Sequence, residues 1–282
     1  MRKSLTLIIA AILLLPQFAF ANQENKKGTL TVISYNIRMG AAKDGTNSWE
    51  FRYPASAMMI MDQAPDIFGV QEAFDYQAKY LSEYCKGYKS YGVGRDDGKS
   101  QGERMDIFYN TKTIKMYKYG TFWLSDTPEK PTIGWDAQCK RTATWALMKD
   151  KRTGKKFYYV NTHLDHIGVL ARQKGLELIV NRIKSINPEG YPMVLTGDFN
   201  MTPENAAFAD LNKIMKCART SAIKTDNLGS FNDWGKQKEK KIIDYIYYSG
   251  FSSCSTFETI TKSYDNRAYI SDHFPIKAVL VF

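Results

Sequence analysis

The segment Val194-Leu195-Thr196-Gly197-Asp198-Phe199-Asn200 joins an apolar run to an acid and an amide. The run predicts a buried strand, and Gly197 permits a sharp bend where that strand ends. The side chains of Asp198 and Asn200 then point the same way, because residues two apart in an extended chain share a face. A plain turn is the alternative, since glycine, aspartate and asparagine are common in turns. The segment therefore predicts a strand end that presents polar groups.

Other predicted strands also carry polar groups at their ends. Asn36 lies in Ser34-Tyr35-Asn36-Ile37-Arg38, Glu72 in Gly69-Val70-Gln71-Glu72, His163 in Asn161-Thr162-His163-Leu164-Asp165, and Asp272 and His273 in Ser271-Asp272-His273-Phe274-Pro275. Strand ends present side chains to solvent without breaking the core of a sheet, so ligand sites gather there. A lone histidine in such a place is more often a satisfied structural residue. The prediction of a site therefore rests on the whole set.

The apolar patterning predicts an α/β chain of many short strands. Strands are expected at 30–37, 67–71, 88–94, 105–109, 114–122, 142–148, 157–162, 193–196, 242–248 and 273–282. Apolar residues at three- and four-residue steps predict helices at 52–63, 77–84, 169–186 and 206–216. Neither a linker nor an internal repeat divides the chain. A single domain over residues 29–282 is the prediction.

Composition excludes several protein classes. With 282 residues and 44% hydrophobic residues the chain is neither disordered nor a miniprotein, and 19 glycines and 9 prolines exclude collagen. The net charge of +10 favours polyanionic partners such as nucleic acid or anionic headgroups, although the lysines are scattered. The four cysteines form no CxxC pair, which argues against a zinc site. Buried free thiols, or one or two disulfides in any of three pairings, are the preferred interpretation.

The first 21 residues have the layout of a secretory signal peptide. Arg2 and Lys3 precede an apolar run at 5–15, and the small-residue pattern at 19–21 predicts cleavage before Asn22. An uncleaved anchor is the alternative, but the run is shorter than the roughly 20 residues that span a bilayer. Cleavage would lower the net charge of +10 by two, to +8. We expect an exported, periplasmic or secreted chain with a mobile segment at 22–28 and no transmembrane segment after cleavage.

The polar set indicates metal-assisted phosphoester chemistry. Hard oxygen ligands without cysteine favour Mg²⁺ or Mn²⁺, which proteins bind through one or two carboxylates together with substrate phosphate. An acid that orients water, with histidine and asparagine donors around a charged centre, suits phosphoester hydrolysis. The chain contains neither a GxSxG elbow nor a GxxxxGK[ST] loop. Serine hydrolase and P-loop NTPase functions therefore lose their main support.

The motifs, in their order along the chain, resemble those of the endonuclease/exonuclease/phosphatase superfamily. They are Asn36 in SYNIR, Glu72 in VQE, Glu103 in GER, Arg141, His163 in NTHLDH, Asp198 and Asn200 in TGDFN, Asp244 in IDYI, and Asp272 and His273 in SDHFP. The resemblance covers residues 30–282, and the stretch 121–128 resembles uncharacterised secreted bacterial members. It implies an α/β fold, a four-layer α-β-β-α sandwich with two mixed β-sheets like that of deoxyribonuclease I.

The resemblance also implies a role for each motif residue. Glu72 would bind Mg²⁺ or Mn²⁺ with Asn36 and Asp272 close by, and Asp198 would orient and deprotonate water. Asn200 and His163 would donate to phosphoryl oxygens, and His273 would hold the phosphate. Asp244 would fix the ring and charge of His273, and Glu103 would do the same for His163 by raising its pKa. Arg38 and Arg141 would contact substrate phosphate.

These expectations define a functional hypothesis with open alternatives. We expect an exported metal-dependent phosphoesterase that favours phosphodiesters, without an obligate protein partner. The alternatives are a phosphomonoesterase on inositol or sugar phosphates, a sphingomyelinase-like lipid phosphodiesterase, and a non-catalytic binding module on the same scaffold. Four aromatic residues are either a stacking platform or packing at the edge of the core: Trp123, Trp135, Phe231 and Trp234. A solvated loop role is expected for Asp165 and His166.

Overall fold

The computed structural model describes residues 28–282. Strands β1 to β13 span, in chain order, Thr29–Asn36, Ile67–Gln71, Tyr88–Tyr91, Ile107–Asn110, Ile114–Trp123, Thr142–Asp150, Lys156–His163, Met193–Asp198, Lys216–Cys217, Ala222–Lys224, Asp244–Ser249, Ser253–Thr259 and Ile276–Val281. Helices α1 to α5 span Trp49–Gln63, Asp75–Tyr84, Val169–Ile186, Ala209–Ile214 and Ala218–Ser221.

Within these residues the strands form two mixed sheets. The seven-stranded sheet has the order β10-β12-β13-β1-β2-β4-β3, and the six-stranded sheet has the order β5-β6-β7-β8-β11-β9. In the first sheet β1 runs parallel to β2 and antiparallel to β13. In the second, β8 runs parallel to β7 and antiparallel to β11. Asn36, Glu72, His163 and Asp198 lie at the carboxyl ends of β1, β2, β7 and β8.

Alternating side chains along the strands fill three apolar clusters. Inward-facing residues such as Val32 and Val194 pack between the sheets. Their neighbours Ile33 and Leu195 face outward, where α1 and α2 cover the first sheet and α3 and α4 cover the second. Burial on both faces explains why these strands read as continuous apolar runs. The layers are helix, sheet, sheet and helix, which confirms the predicted four-layer α/β sandwich.

The predicted elements differ from the observed ones in several places, and the short β9, β10 and α5 were not predicted. Strand β12 was not predicted, because its sequence SCSTFET is largely polar and a register shift between Cys254 and Thr256 breaks its alternation. The helix expected at 206–216 is a 3₁₀ turn followed by the short α4. Gly197 lies inside β8 without a left-handed φ, so it is not a bend; a Cβ there would lie 2.2 Å from the carbonyl oxygen of Thr162.

Some predictions concern the ends of the chain and its cysteines. The signal peptide expected at 1–21 and the segment at 22–27 lie outside the described residues. Among residues 28–282, no helix combines the length and apolar character that membrane crossing requires. Cys85 and Cys254 are buried free thiols, and Cys139 and Cys217 are half-buried free thiols. Of the two interpretations that the sequence left open, free thiols and disulfides, the structure has free thiols.

Candidate active site

The predicted site residues meet at one edge of the sandwich. Asp198, the last residue of β8, is paired in register with His163 of β7 and with Asp244 of β11. Asn36 ends β1 in the facing sheet. A cleft of about 730 Å³ opens above them. Nine predicted residues line the cleft: Arg38, Glu72, Glu103, Arg141, His163, Asp198, Asn200, Asp272 and His273. Asn36 and Asp244 lie below this lining and contact it through Asp198 and His273.

Asn36 joins two carboxylates of the cleft. Its Nδ2 donates to Glu72 Oε1 at 2.9 Å and to Asp198 Oδ2 at 3.0 Å. Its Oδ1 accepts from the backbone N–H of Arg38 at 3.0 Å. The amide lies beside the carboxylates as predicted, but it turns N–H groups toward them. Asn36 therefore orients the carboxylates of Glu72 and Asp198 through its N–H groups, and its amide oxygen faces the backbone of Arg38.

Left-handed backbone conformations occur at three site residues that line the cleft, Arg38, Glu72 and Asn200. Glu72 follows β2 with φ of 63°, and Asn200 follows β8 with φ of 50°. Gln71 already points to the same face as its partner Asn36, so continued alternation would turn Glu72 to the opposite face. The left-handed turn returns the Glu72 side chain to Asn36. Such conformations cost about 1–3 kcal/mol in residues other than glycine and cluster at functional sites.

Asp198 and His273 form the charged centre of the cleft. Burial and the neighbouring charge of Asp244 raise the pKa of Asp198 to about 7. His273 Nδ1 lies 2.8 Å from Asp244 Oδ2, and its Nε2 lies 3.7 Å from Asp198 Oδ2. Burial lowers the pKa of His273, but Asp244 and Asp198 outweigh it and raise the value to about 10. His273 is therefore an imidazolium at neutral pH, fixed by Asp244 as expected.

His163 differs from the sequence expectation. Asn200 Nδ2 donates to His163 Nε2 at 3.0 Å and to the Leu164 carbonyl at 3.1 Å, so Nε2 accepts and Nδ1 carries the hydrogen. Glu103 lies 3.9 Å from that Nδ1, because Arg95 binds its carboxylate at 2.7 Å. Burial and the charges of Arg141 and Arg95 lower the pKa of His163. The prediction that Glu103 makes it doubly protonated is wrong.

The two arginines assigned to substrate phosphate are both held by protein groups. Arg38 donates to both oxygens of Asp44, at 3.0 and 3.1 Å, and its third nitrogen lies 3.5 Å from Asp272. Arg141 donates to Asp165 at 3.1 Å. Their contact with phosphate stays a prediction.

Asp165 and His166 behind Arg141 have different surroundings. Asp165 is 1% exposed and also accepts from the backbone of Ile167 and Gly168, so the expected solvated role is wrong for it. His166 is exposed, and its Nδ1 lies 2.8 Å from the Arg141 guanidinium.

The four aromatic candidates divide between the cleft and the scaffold. Phe231 and Trp234 line the cleft, and Phe231 meets the His273 ring edge to face at 5.1 Å. Trp123 is buried and donates to the carbonyl of Arg95, and Trp135 donates to Asp126.

Sequence reasoning missed Arg95 and Asp44, which act through Glu103 and Arg38. Neither lies in a motif, and each is brought to the cleft by a loop.

The donor set fits a divalent cation bound by oxygen. Glu72, His163 and Asp198 offer ligand atoms within 4.8 Å of one another, and so do Asp198, Asp244 and His273. Burial raises the pKa of Asp198 and of Asp272, so the surrounding groups do not fully stabilise the negative charge of these carboxylates. A hard cation at Glu72, Asp198 and Asp272 would stabilise that charge.

Comparison with known proteins places this chain in a family. The model of the Endonuclease/Exonuclease/phosphatase family matches residues 33–273, so the chain belongs to that family. The match includes every predicted site residue. Phosphoester hydrolysis is the chemistry of this superfamily, and its members generally depend on divalent metals.

Individual relatives cover nearly the whole chain. A solved mannosyl-6-phosphatase from Bacteroides thetaiotaomicron is 37% identical, with a TM-score of 0.85, and the match covers 90% of this chain and 100% of that one. A family protein from Bacteroides vulgatus is 36% identical with the same TM-score, covering 90% and 99% of the two chains. An uncharacterised protein of Acanthamoeba polyphaga mimivirus is 26% identical over 260 residues, covering 83% of this chain and 92% of its own length.

Proposed function

We propose that this protein is a divalent-metal-dependent phosphoesterase that hydrolyses the phosphomonoester of a small phosphorylated sugar. The observation that carries the proposal is the convergence of Glu72, Asp198 and the Asp244–His273 pair in one cleft. Acids and an imidazolium around one point are the groups that attack on phosphorus requires. Glu72 and Asp272 would hold Mg²⁺ or Mn²⁺ beside Asp198. The bound cation would supply Lewis-acid stabilisation of the phosphoryl oxygens.

The remaining chemistry comes from side chains of the chain itself. Asp198 accepts hydrogen bonds from Asn36 and from the backbone of Asn200, which fix the orientation of its carboxylate. With the cation beside it this carboxylate would be ionised, in the form that can take a proton from attacking water. His273 offers positive charge where phosphoryl oxygens gain negative charge. Removing one such donor typically costs about 10²–10³ in rate.

The relatives favour a phosphomonoester, whereas the sequence alone favoured phosphodiesters. The 37% identical structure is a mannosyl-6-phosphatase, and the similarity extends over 90% of this chain. The cleft volume of about 730 Å³ lies in the usual range for small-molecule sites, about 300–1,000 Å³. A phosphorylated sugar fits these dimensions.

A phosphodiesterase is the second candidate. Lys236 and Lys241 reach the cleft, and the chain carries a net charge of +10. Cationic side chains beside a catalytic centre suit a substrate with further phosphates along a backbone. This arrangement favours an oligonucleotide among phosphodiesters.

A substrate panel separates these candidates. Mannose 6-phosphate, glucose 6-phosphate, bis-p-nitrophenyl phosphate, an oligonucleotide and sphingomyelin are assayed for hydrolysis with Mg²⁺, with Mn²⁺ and with EDTA. We expect the sugar phosphates to be hydrolysed with the highest kcat/KM, EDTA to abolish turnover, and added cation to restore it. Asp198→Ala is the catalytic control. Turnover that persists in EDTA or in Asp198→Ala would refute the proposal, and faster hydrolysis of the oligonucleotide would select the phosphodiesterase.

Export is a separate part of the proposal. It rests on the layout of residues 1–21, and the bacterial secreted origin rests on the resemblance of residues 121–128. Expression of the full chain in a bacterium, followed by fractionation and mass measurement, tests it. We expect the protein outside the cytoplasm with Asn22 as its first residue. A cytoplasmic product that retains Met1 would contradict it.

A further inference from the structure

The two halves of the proposed site come from different sheets. Asn36 and Glu72 lie at the ends of β1 and β2, and His163 and Asp198 end β7 and β8 in the facing sheet. The Asn36–Asp198 hydrogen bond of 3.0 Å spans the gap. Apolar packing between sheets is non-directional, so it does not by itself hold such a contact to within an ångström. A directional device is needed to set the relative position of the sheets.

A layer of buried polar side chains lies directly beneath the site. Strand residues two apart share a face, and three site residues are each preceded at that spacing by a polar residue that is at most 1% exposed. These pairs are Ser34 and Asn36, Asn161 and His163, and Thr196 and Asp198. Gln71, paired with Asn36 in the sheet, is fully buried as well. We call Ser34, Gln71, Asn161 and Thr196 the polar layer.

Asn161 is the centre of the polar layer. Its Oδ1 accepts from Gln71 Nε2 at 2.7 Å and from Thr196 Oγ1 at 3.1 Å. Its Nδ2 donates to the carbonyls of Val70 at 2.8 Å and Asp106 at 3.1 Å. All four hydrogen-bonding positions of the amide are therefore occupied. Three of the four partners belong to the seven-stranded sheet or its edge, so Asn161 ties the two sheets together.

The facing strand leaves room for this amide. Gly69 lies in β2 opposite Asn161, and a Cβ at Gly69 would lie 2.5 Å from Asn161 Cγ. A real side chain at that position would displace the amide. Glycine here serves the close approach of a polar side chain to the strand. The sequence thus places a small residue and an amide at the same level beneath the site.

We propose that Asn161 and the polar layer position the two half-sites, by fixing the register of one sheet against the other. This inference rests on the proposed function. Aliphatic residues in these places would pack as well between the sheets, but would supply no directional contact. Asn161 is thus a positioning residue: its network sets the distance from Asn36 to Asp198 and the orientation of the His163 ring two residues further on.

Matched substitutions separate positioning from stability. Gly69→Ala displaces Asn161, and Thr196→Val removes the hydrogen bonds of Thr196 Oγ1 to Asn161 and to the Tyr159 hydroxyl with little change of volume. Val194→Ala is the control, because Val194 is buried between the sheets on the same strand, two residues below Thr196. We expect kcat to fall about 100-fold in Gly69→Ala and about tenfold in Thr196→Val, since small misplacements near a site are costly. KM should change less than twofold, and Thr196→Ser should restore kcat.

Melting temperature, Mn²⁺ affinity and imidazole NMR complete the experiment. The chain has three histidines, so the His163 signal can be assigned with His163→Gln. We expect its signal and the Mn²⁺ affinity to change in both polar-layer variants, and neither to change in Val194→Ala despite a comparable loss of melting temperature. If Gly69→Ala does not fold, the comparison of Thr196→Val with Val194→Ala tests the role of the polar layer by itself.

Two outcomes would overturn the inference. The first is an equal change of kcat, Mn²⁺ affinity and the His163 signal in Val194→Ala and in the polar-layer variants at matched melting temperature. The second is an unchanged kcat in Thr196→Val. A wild-type protein without phosphatase activity would refute the proposed function instead, and the NMR and Mn²⁺ comparison would still test the polar layer.

Discussion

The amide nitrogen of Asn36 lies 3.0 Å from a carboxylate oxygen of Asp198, which joins the end of β1 to the end of β8 across the two sheets. The same nitrogen reaches Glu72 at 2.9 Å. One neutral donor thus holds two acids that would otherwise repel each other. The arrangement keeps both carboxylates near a common point, where a divalent cation would bind.

Substitution of Asn36 should weaken metal-dependent turnover. In Asn36→Ala the two carboxylates lose their shared donor, so we expect kcat or metal affinity to fall about 10–100-fold. Steady-state kinetics across a Mg²⁺ series measures both. Asn205→Ala is the matched control, because Asn205 caps the 206–208 turn through its contact with Ala207. Wild-type kinetics in Asn36→Ala would show that the bridge has no catalytic role.

Loss of the Asp244 charge should impair turnover without unfolding the protein. Asp244→Asn keeps the shape of the side chain but removes the charge that raises the pKa of His273. We expect kcat to fall about 10²–10³-fold, as for loss of one donor to a developing oxyanion. Circular dichroism checks the fold, and Asp210→Asn, at an exposed pair with Lys213, is the control. Equal kcat values in the two variants would contradict the role of Asp244.

The contribution of Asp165 to stability should depend on pH. Hydrogen bonds from Gly168 and Ile167 and the charge of Arg141 outweigh burial and hold the pKa of Asp165 below its ordinary 3.8. A depressed pKa in the folded state stabilises above the unfolded value and is lost as pH falls through the folded value. Asp165→Asn should therefore lower the free energy of unfolding by about 3 kcal/mol at pH 5 to 8. Urea unfolding should show the difference shrinking below pH 3.8; a difference that grows there would contradict this account.

Gly197 should not tolerate a side chain. Its added Cβ would lie 2.2 Å from the Thr162 carbonyl oxygen, between two strands that carry His163 and Asp198. We expect Gly197→Ala to cost about 1–3 kcal/mol through overpacking. Gly175→Ala is the control, because its Cβ would meet side-chain atoms, the nearest being the end of the Leu124 side chain at 3.3 Å, rather than backbone atoms, and alanine favours a helix. Thermal unfolding compares them, and an equally stable Gly197→Ala would show that the strands can separate.

Patterns with a local physical cause were predictable from the sequence. Continuous apolar runs located the central strands, and polar residues at the ends of those runs located Asn36, Glu72, His163 and Asp198 at one edge. Parallel neighbours bring their carboxyl ends together, so this placement needs no knowledge of distant contacts. The four-layer arrangement came from the resemblance to a family.

Features that depend on distant loops were not predictable. Burial and the charges of Arg141 and Arg95 lower the pKa of His163; the two arginines approach it from separate loops, and neither position follows from the NTHLDH motif. Asp165 is buried because it holds Arg141, although its motif reads as a turn. The left-handed φ of Glu72 likewise appears in no pattern, since glycine is the usual signal for it.

The central claim is that Glu72, Asp198 and their neighbours form one divalent-cation site. Calorimetric titration of Mn²⁺ into the wild-type protein and into Glu72→Gln tests it without any choice of substrate. We predict a saturable site in the wild type and loss of most of its affinity in Glu72→Gln. Absence of binding in the wild type, or equal affinity in the two proteins, would contradict the account.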